Sequence, residues 1–164
     1  MGHSKVVALL LIAGLFSGCA SVRWSFQKAV RREGTVNWAL PDQVWNEYDC
    51  ETQKRPFFIV EKNELVPPKV KAGGEFNHRL VYVMCPPGPT EVVSGRLSTR
   101  IRFKGAPIVH STEEDYEILP GRWAVDAFVE IPEGAEPGVY AYEVAFSGPG
   151  LEFEKILTFL VKTP

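Results

Sequence analysis

The residues of this sequence best suited to chemistry are its thiols and imidazoles. The three cysteines are Cys19, Cys50 and Cys85. Cys85 follows Met84 directly, and together with His78 or His110 it could form a site for a soft metal, because such metals prefer sulfur and imidazole ligands. No Cys-x-x-Cys motif, paired histidines or clustered carboxylates accompany these residues. We therefore expect neither a metal site nor a cofactor.

Motifs that would support catalysis are missing from the sequence. It contains no Gly-x-Ser-x-Gly elbow, His-Glu-x-x-His motif or phosphate-cradling glycine loop. The run from Glu113 to Asp115 is expected to be a solvated turn, since a catalytic pair of carboxylates needs two groups that converge in a cleft. We expect no catalytic residues and a protein that is not an enzyme, with an enzyme of unrecognised type as the alternative.

Composition narrows the class of protein. The chain has 164 residues, of which 45% are hydrophobic and 23% charged, so it is neither a disordered tail nor a polytopic membrane protein. Its 18 Lys and Arg against 20 Asp and Glu give a formal charge of -2. Without an overall positive field the chain is not expected to bind nucleic acid.

An export signal is indicated at the N-terminus. After Lys5, residues 6–16 are uncharged and apolar. A helix of that length rises only about 16 Å, roughly half of a hydrocarbon core of about 30 Å, which favours the h-region of a signal peptide over a membrane span. The next residues, Phe16-Ser17-Gly18-Cys19, resemble the lipobox of bacterial lipoproteins, in which small residues precede an invariant cysteine. An ordinary secretory signal is the alternative.

The lipobox resemblance implies where the chain is processed and held. Residues 1–18 would be a signal helix that is removed, and Cys19 would be lipidated and become the mature N-terminus. The membrane is then a partner through the lipid anchor. Ala20-Ser21 lacks the aspartate that retains lipoproteins at the inner membrane, so the resemblance implies an outer-membrane lipoprotein that faces the periplasm, ahead of the inner membrane or the cell surface.

With Cys19 assigned to the lipid, Cys50 and Cys85 remain as one possible pair. An exported chain meets an oxidising compartment, where a disulfide is the default. Residues 66–71 and 75–85 flank Ala72-Gly73-Gly74, which predicts a hairpin whose far end lies near residues 57–60, a few positions after Cys50. We therefore predict a Cys50–Cys85 disulfide; a reactive thiol or a metal site is the alternative.

Alternation of apolar and polar residues predicts strands through most of the chain. Leu97, Thr99, Ile101 and Phe103 alternate with polar residues, so that one face of their strand is buried. About seven strands are expected between residues 57 and 161. Residues 66–76 (VPPKVKAGGEF) and 137–144 (PGVYAYEV) resemble immunoglobulin-like and fibronectin type III-like domains. The resemblance implies an all-β fold: a single immunoglobulin-like antiparallel β-sandwich over residues 57–164, after the N-terminal lipoprotein signal helix.

Residues 19–56 form an anchor-proximal segment that is too aromatic for a free linker. Val36, Trp38 and Leu40 alternate, which predicts an added edge strand, and Trp45 is expected to cover the sandwich. The alternative is that residues 22–32 form an amphipathic helix on anionic lipid.

Charge is divided along the chain. Residues 20–104 hold 14 Lys and Arg against 9 Asp and Glu, whereas residues 105–164 hold 3 against 11. One interpretation is that basic and acidic residues meet across a sheet. The other is a stripe that binds an anionic partner. The stripe would consist of Arg96, Arg100, Arg102 and Lys104.

Two classes of function fit these features. The first is a lipid-anchored module of the cell envelope without catalytic activity, whose partner is another envelope protein. The second is a periplasmic carrier or chaperone-like protein that holds an apolar ligand or an extended peptide. A flat charged face and a closed core would favour the first. An apolar groove between the sheets or a long unprotected edge strand would favour the second.

Overall fold

A computed structural model describes residues 33–88 and 91–163, so the predicted signal sequence, Cys19 and the alternative helix over residues 22–32 lie outside the described residues. In the described part there are nine strands and one helix, which is too short to cross a membrane. The strands are β1 (Gly34–Ala39), β2 (Phe57–Val66), β3 (Lys69–Lys71), β4 (Glu75–Cys85), β5 (Val93–Phe103), β6 (Ala106–Ile118), β7 (Gly121–Glu130), β8 (Gly138–Gly148) and β9 (Leu151–Lys162), and the helix is α1 (Pro41–Glu47).

The strands form two sheets that pack face to face. One has four strands in the order β1-β7-β4-β2, and the other has five in the order β3-β9-β8-β5-β6. Neighbours are antiparallel except β3 and β9, which are parallel. Aromatic rings connect the sheets: the Phe58 and Phe153 centroids lie 4.9 Å apart, and those of Phe76 and Phe159 lie 4.8 Å apart. The all-β prediction is confirmed.

The core follows the alternation seen in the sequence. On β8 the inward residues are buried, and they are Tyr140, Tyr142, Val144 and Phe146. On β5, Leu97, Ile101 and Phe103 face the same interior, as their alternation predicts. Their burial supplies the main stabilising free energy, at about 25 cal/mol per Å² of apolar surface.

The hairpin before Cys85 differs from the prediction. β4 pairs with β7 and with β2, where Phe57 lies opposite Cys85, whereas residues 69–71 pair with β9. The chain leaves β2 at Val66, because Pro67 and Pro68 offer no backbone N–H to continue the ladder, and β3 then joins the other sheet beside β9. This crossing, together with β1, accounts for nine strands where about seven were expected.

The acidic run is not a turn. Residues 113–115 lie inside β6, which is one continuous strand of 13 residues. Its pairing with β5 absorbs the irregular sequence through two β-bulges, one opposite Arg96 and one at Ile108. The expectation of a turn at residues 113–115 was therefore wrong, although these residues are exposed.

The segment before residue 57 contributes β1 and α1. β1 lies at the edge of the four-stranded sheet beside β7, as predicted. Val36 and Trp38 on β1 and Leu40 just after it are each more than half exposed. α1 begins at Pro41, a residue suited to the first turn of a helix, and its Val44 is buried against the four-stranded sheet.

Candidate functional site

The most accessible part of the described backbone is the edge strand β6. β6 pairs with β5 on one side, and no strand of the described residues pairs with its other side. Residues 106–115 are all exposed, including Ile108 at 48% and Val109 at 42%. Between the two bulges, residues 109–113 pair regularly with β5, so this stretch presents an ordered row of unpaired backbone N–H and C=O groups.

The free edge carries negative charge. Glu114 forms an ion pair with Arg96 at 2.8 Å. Within residues 33–88 and 91–163 no cation pairs with Glu113, Asp115 or Glu117. Glu113 lies opposite Leu97, which places it on the face of β6 that looks toward the other sheet. Burial raises the pKa of Tyr116, and the negative charge of Glu113 raises it further, so the two side chains are neighbours.

A partly enclosed apolar pocket lies between the sheets next to this edge; we call it the interlayer pocket. Its volume is about 70 Å³. Its walls are His78, Leu80, Tyr82, Leu97, Thr99, Tyr116, Ile118, Val125, Ala127, Tyr142, Val144 and Phe153. Five of the six half-buried wall residues lie on β5, β6 and β7, so the pocket opens on the side of the sandwich where β6 ends its sheet.

His78 is the one ionisable imidazole of this pocket and is 5% exposed. Its Nε2 donates to Asn63 Oδ1 at 2.8 Å, and its ring lies 4.9 Å from that of Tyr142. Burial lowers the pKa of His78 to about 4, although the negative charge of Asp126 opposes the shift. Burial likewise raises the pKa of Tyr142 to about 12, so both groups are neutral near pH 7 and leave the pocket uncharged.

The predicted disulfide is present. Cys50 and Cys85 are bonded, with their Cα atoms 5.6 Å apart, and both side chains are fully buried. Together with Val44 and Val83 they form a small cluster that fastens the end of α1 to β4. Its position identifies a structural bridge and not a reactive thiol, because a buried bridge offers no thiolate.

Each cation of the predicted basic stripe lies beside a carboxylate. Arg102 lies 2.8 Å from Glu143 and Arg100 lies 4.0 Å from it, across the β5–β8 pair. The remaining pairs are Arg96 with Glu114 and Lys104 with Glu136, both at 2.8 Å. This arrangement agrees with the interpretation in which basic and acidic residues meet across a sheet, and it leaves little unbalanced positive charge for an anionic partner.

Among the described residues there is no group of three or more His, Cys, Asp or Glu side chains that could hold a metal. His78 and His110 lie on different strands, and Met84 packs in the core away from His110. Cys85, His78 and His110 are therefore not brought together as a metal-binding set.

The β6 edge and the interlayer pocket were not found from the sequence. A pocket depends on which space the side chains of two packed sheets leave unfilled, and no local sequence pattern encodes that space. β6 gave only a weak signal, because bulges break its alternation. The excess of acidic residues after residue 105 is the one feature that could have pointed to this edge.

Comparison with known proteins assigns no family. No protein-family model matches the sequence, and no curated protein matches it. The solved structures that are similar include a sporulation control protein from Bacillus subtilis (15% identity, TM-score 0.43, 66% of this chain). They also include a DNA-bound alkylpurine DNA glycosylase from Pseudomonas fluorescens (12%, 0.46, 65%) and a family 123 glycoside hydrolase from Clostridium perfringens (17%, 0.41, 57%). The matches cover only 49%, 30% and 22% of those chains, and such weak similarity assigns no activity.

Proposed function

We propose that this protein is a lipid-anchored binding module of the bacterial cell envelope, without catalytic activity, that engages another envelope protein. The lipobox-like Phe16-Ser17-Gly18-Cys19 supports the anchor and a place on the outer membrane facing the periplasm. The Cys50–Cys85 disulfide supports export, since such bonds persist in oxidising compartments.

The proposed fold of the module is a single immunoglobulin-like β-sandwich. Two facing sheets with mainly antiparallel pairs support this assignment. The disulfide departs from the antibody pattern, because it ties the segment after α1 to β4 instead of joining two facing core strands. The chain passes from one sheet to the other between β2 and β3, because β2 pairs with β4 and the short β3 pairs in parallel with β9. This arrangement is compatible with a sandwich in which one strand is divided between the two sheets.

The observation that carries the binding function is the free edge of β6. An extended segment of a partner can add to such an edge as a further strand, with main-chain hydrogen bonds supplying affinity and side chains supplying specificity. The bulges and carboxylates of β6 protect this edge from pairing with itself, but they leave the outward backbone groups of residues 109–113 accessible to a partner of complementary charge. We assign the partner-binding surface to residues 109–113 of β6.

Proline substitutions at two adjacent positions test this surface. In an antiparallel pair, successive residues point their N–H groups alternately toward the neighbouring strand and away from it. Of Ser111→Pro and Thr112→Pro, one therefore removes a hydrogen bond to β5 and lowers the melting temperature. The other is expected to retain the melting temperature and to abolish strand addition.

Strand addition is measured by photo-crosslinking in intact envelopes. A photoreactive residue in place of His110 on β6 is expected to capture a defined extended segment of one partner, mapped by mass spectrometry. The same residue in place of Glu154, on the outer face of β9, is the control. Capture that persists in the proline variant with unchanged melting temperature would show that β6 is not the binding edge.

The anchor makes a separate prediction. Cys19→Ser is expected to move the protein from the membrane fraction to the soluble fraction, or to accumulate the unprocessed precursor, because the acyl chains that hold it can no longer be attached. Fractionation of envelopes with immunoblotting measures this. If Cys19→Ser is processed normally and stays in the membrane fraction, the lipid anchor is refuted. The β6 surface is tested separately, by the proline variants and the crosslinking.

A carrier or chaperone-like role is the second candidate. The unpaired edge of β6 favours it as much as it favours the binding module, because in both roles an extended segment adds to that edge. The interlayer pocket favours it further. Its volume of about 70 Å³ is about half of the roughly 150 Å³ of a cavity that holds benzene. A lipid chain is therefore too large for it, whereas one side chain of an extended peptide fits. The structure thus favours the peptide-holding version of this role over a lipid carrier.

A further inference from the structure

We propose that the strand added to β6 is a basic segment that inserts one apolar side chain into the interlayer pocket and pairs a Lys or Arg with Glu113. This inference rests on the proposed function and specifies the chemistry of its partner. Three observations carry it, namely the position of the pocket mouth, the size and polarity of the pocket, and the negative charge of β6 that no cation of residues 33–88 or 91–163 balances.

The first observation is that the pocket opens next to the regular part of β6. Thr99 and Leu97 line the pocket, and their partners on β6 are Ser111 and Glu113. A strand added outside β6 would point alternate side chains to this same face. Ser111 is small, so a long apolar side chain opposite it can pass over it toward Thr99 and the pocket mouth.

The second observation concerns what the pocket accepts. Its walls are mostly apolar, and the low pKa of His78 keeps the imidazole neutral at pH 7. A volume of about 70 Å³ suits a branched aliphatic group better than an aromatic ring, because a cavity that holds benzene measures about 150 Å³. The anchor side chain is therefore expected to be aliphatic.

The third observation is charge. Glu113 lies on the pocket side of β6, and Asp115 and Glu117 add to the negative potential of the edge. A cationic side chain two residues from the apolar anchor lies on the same face of an extended strand and would reach Glu113. The same carboxylates repel an acidic strand and disfavour a second copy of this acidic edge, so they select a basic partner.

The test uses a synthetic heptapeptide, Thr-Lys-Thr-Leu-Thr-Lys-Thr, whose symmetry makes it independent of strand direction. Its affinity for the wild-type protein is measured by fluorescence anisotropy at low and high salt. A peptide with alanine in place of leucine is expected to bind about tenfold or more weakly, because it loses three buried carbons. A peptide with glutamate in place of both lysines is expected to show no binding.

Protein variants localise both contacts. Ala127→Leu fills the pocket mouth and is expected to make the leucine and alanine peptides bind alike, whereas Ala141→Leu, on the outer face of β8, is the matched control. Glu113→Gln is expected to weaken binding and to reduce its salt dependence, with Glu154→Gln as its control. Melting temperatures establish that each variant is folded.

The possible failures separate this inference from the proposed function. If leucine and alanine peptides bind wild type equally, or if no peptide binds while β6 still captures a partner in envelopes, the partner chemistry is wrong and the binding edge stands. If peptides bind equally well to the fold-retaining proline variant, the binding edge itself is wrong. A protein that dimerises through β6, seen as a doubled mass that the proline variant lacks, would assign the edge to a second copy and overturn the inference.

Discussion

Replacement of both bridged cysteines, as Cys50→Ala with Cys85→Ala, is expected to lower the free energy of unfolding by about 3 to 4 kcal/mol. The bridge closes a segment with a sequence separation of 35, and without it the unfolded chain regains the conformational freedom that the loop had lost. That loss is a large fraction of the roughly 5 to 15 kcal/mol by which domains are stable. Urea unfolding of the double variant beside wild type measures it.

Matched controls separate the bridge from the packing of its sulfur atoms. The bridge lies in a small cluster with Val44 and Val83, so removing sulfur also removes buried contacts. Wild-type protein under reducing conditions keeps the sulfur atoms but lacks the bond, and it is expected to show most of the loss. Equal stability of reduced and oxidised wild type would mean that the disulfide contributes nothing beyond packing.

The local register of single strands could be predicted from the sequence. The alternation on β5 and β8 identifies which residues face the core, because a side-chain period of two leaves only one way to bury an apolar row. The disulfide could also be predicted, although its hairpin was assigned to the wrong strand. The predicted hairpin placed the end of its second strand near residues 57–60, and in the structure Phe57 lies opposite Cys85, so the inference about proximity survived the error in pairing.

The arrangement of the strands could not be predicted in the same way. β3 leaves the sheet of β2 and β4 for that of β9, and nothing in residues 69–71 distinguishes one sheet edge from the other. The outward direction of Trp38 was equally hidden, since an alternating row indicates a shared face but not which side that face lies on. Both features depend on contacts between residues far apart in the chain.

The candidate site was hidden for a related reason. The bulges that interrupt β6 remove the alternation by which an edge strand is recognised, and its acidic residues resemble those of a solvated turn. The interlayer pocket needs walls from six strands, from His78 on β4 to Phe153 on β9. Its existence depends on how well two sheets fill the space between them, which is a property of the assembled core.

The second large effect is expected from pH, through His78. Its pKa is about 4 in the folded protein, against an ordinary value of 6.5, because burial disfavours the imidazolium. Above pH 6.5 the imidazole is neutral in both the folded and the unfolded state, so it does not reduce the free energy of unfolding. As the pH falls below 6.5 the unfolded chain binds a proton that the folded chain excludes, so the free energy of unfolding decreases until the pH reaches about 4.

The size of this effect follows from the shift. A difference of about 2.5 between the two pKa values corresponds to roughly 3 kcal/mol, at 1.36 kcal/mol for each unit. Carboxylates of the chain titrate at the lower end of the same range. The contribution of His78 is therefore the difference between wild type and a variant that cannot be protonated there, because the carboxylates contribute to both curves.

His78→Gln is the suitable variant, since its amide can still donate to the Asn63 oxygen that now accepts from His78. Its free energy of unfolding is expected to decline less than that of wild type between pH 7 and 4. The difference between the two free energies is therefore expected to change by roughly 3 kcal/mol over this range. His110→Gln, at an exposed position of β6, is the control and is expected to follow wild type. Parallel curves for His78→Gln and wild type would show that the imidazole accepts a proton in the folded state, and the interlayer pocket would then be a charged site at low pH.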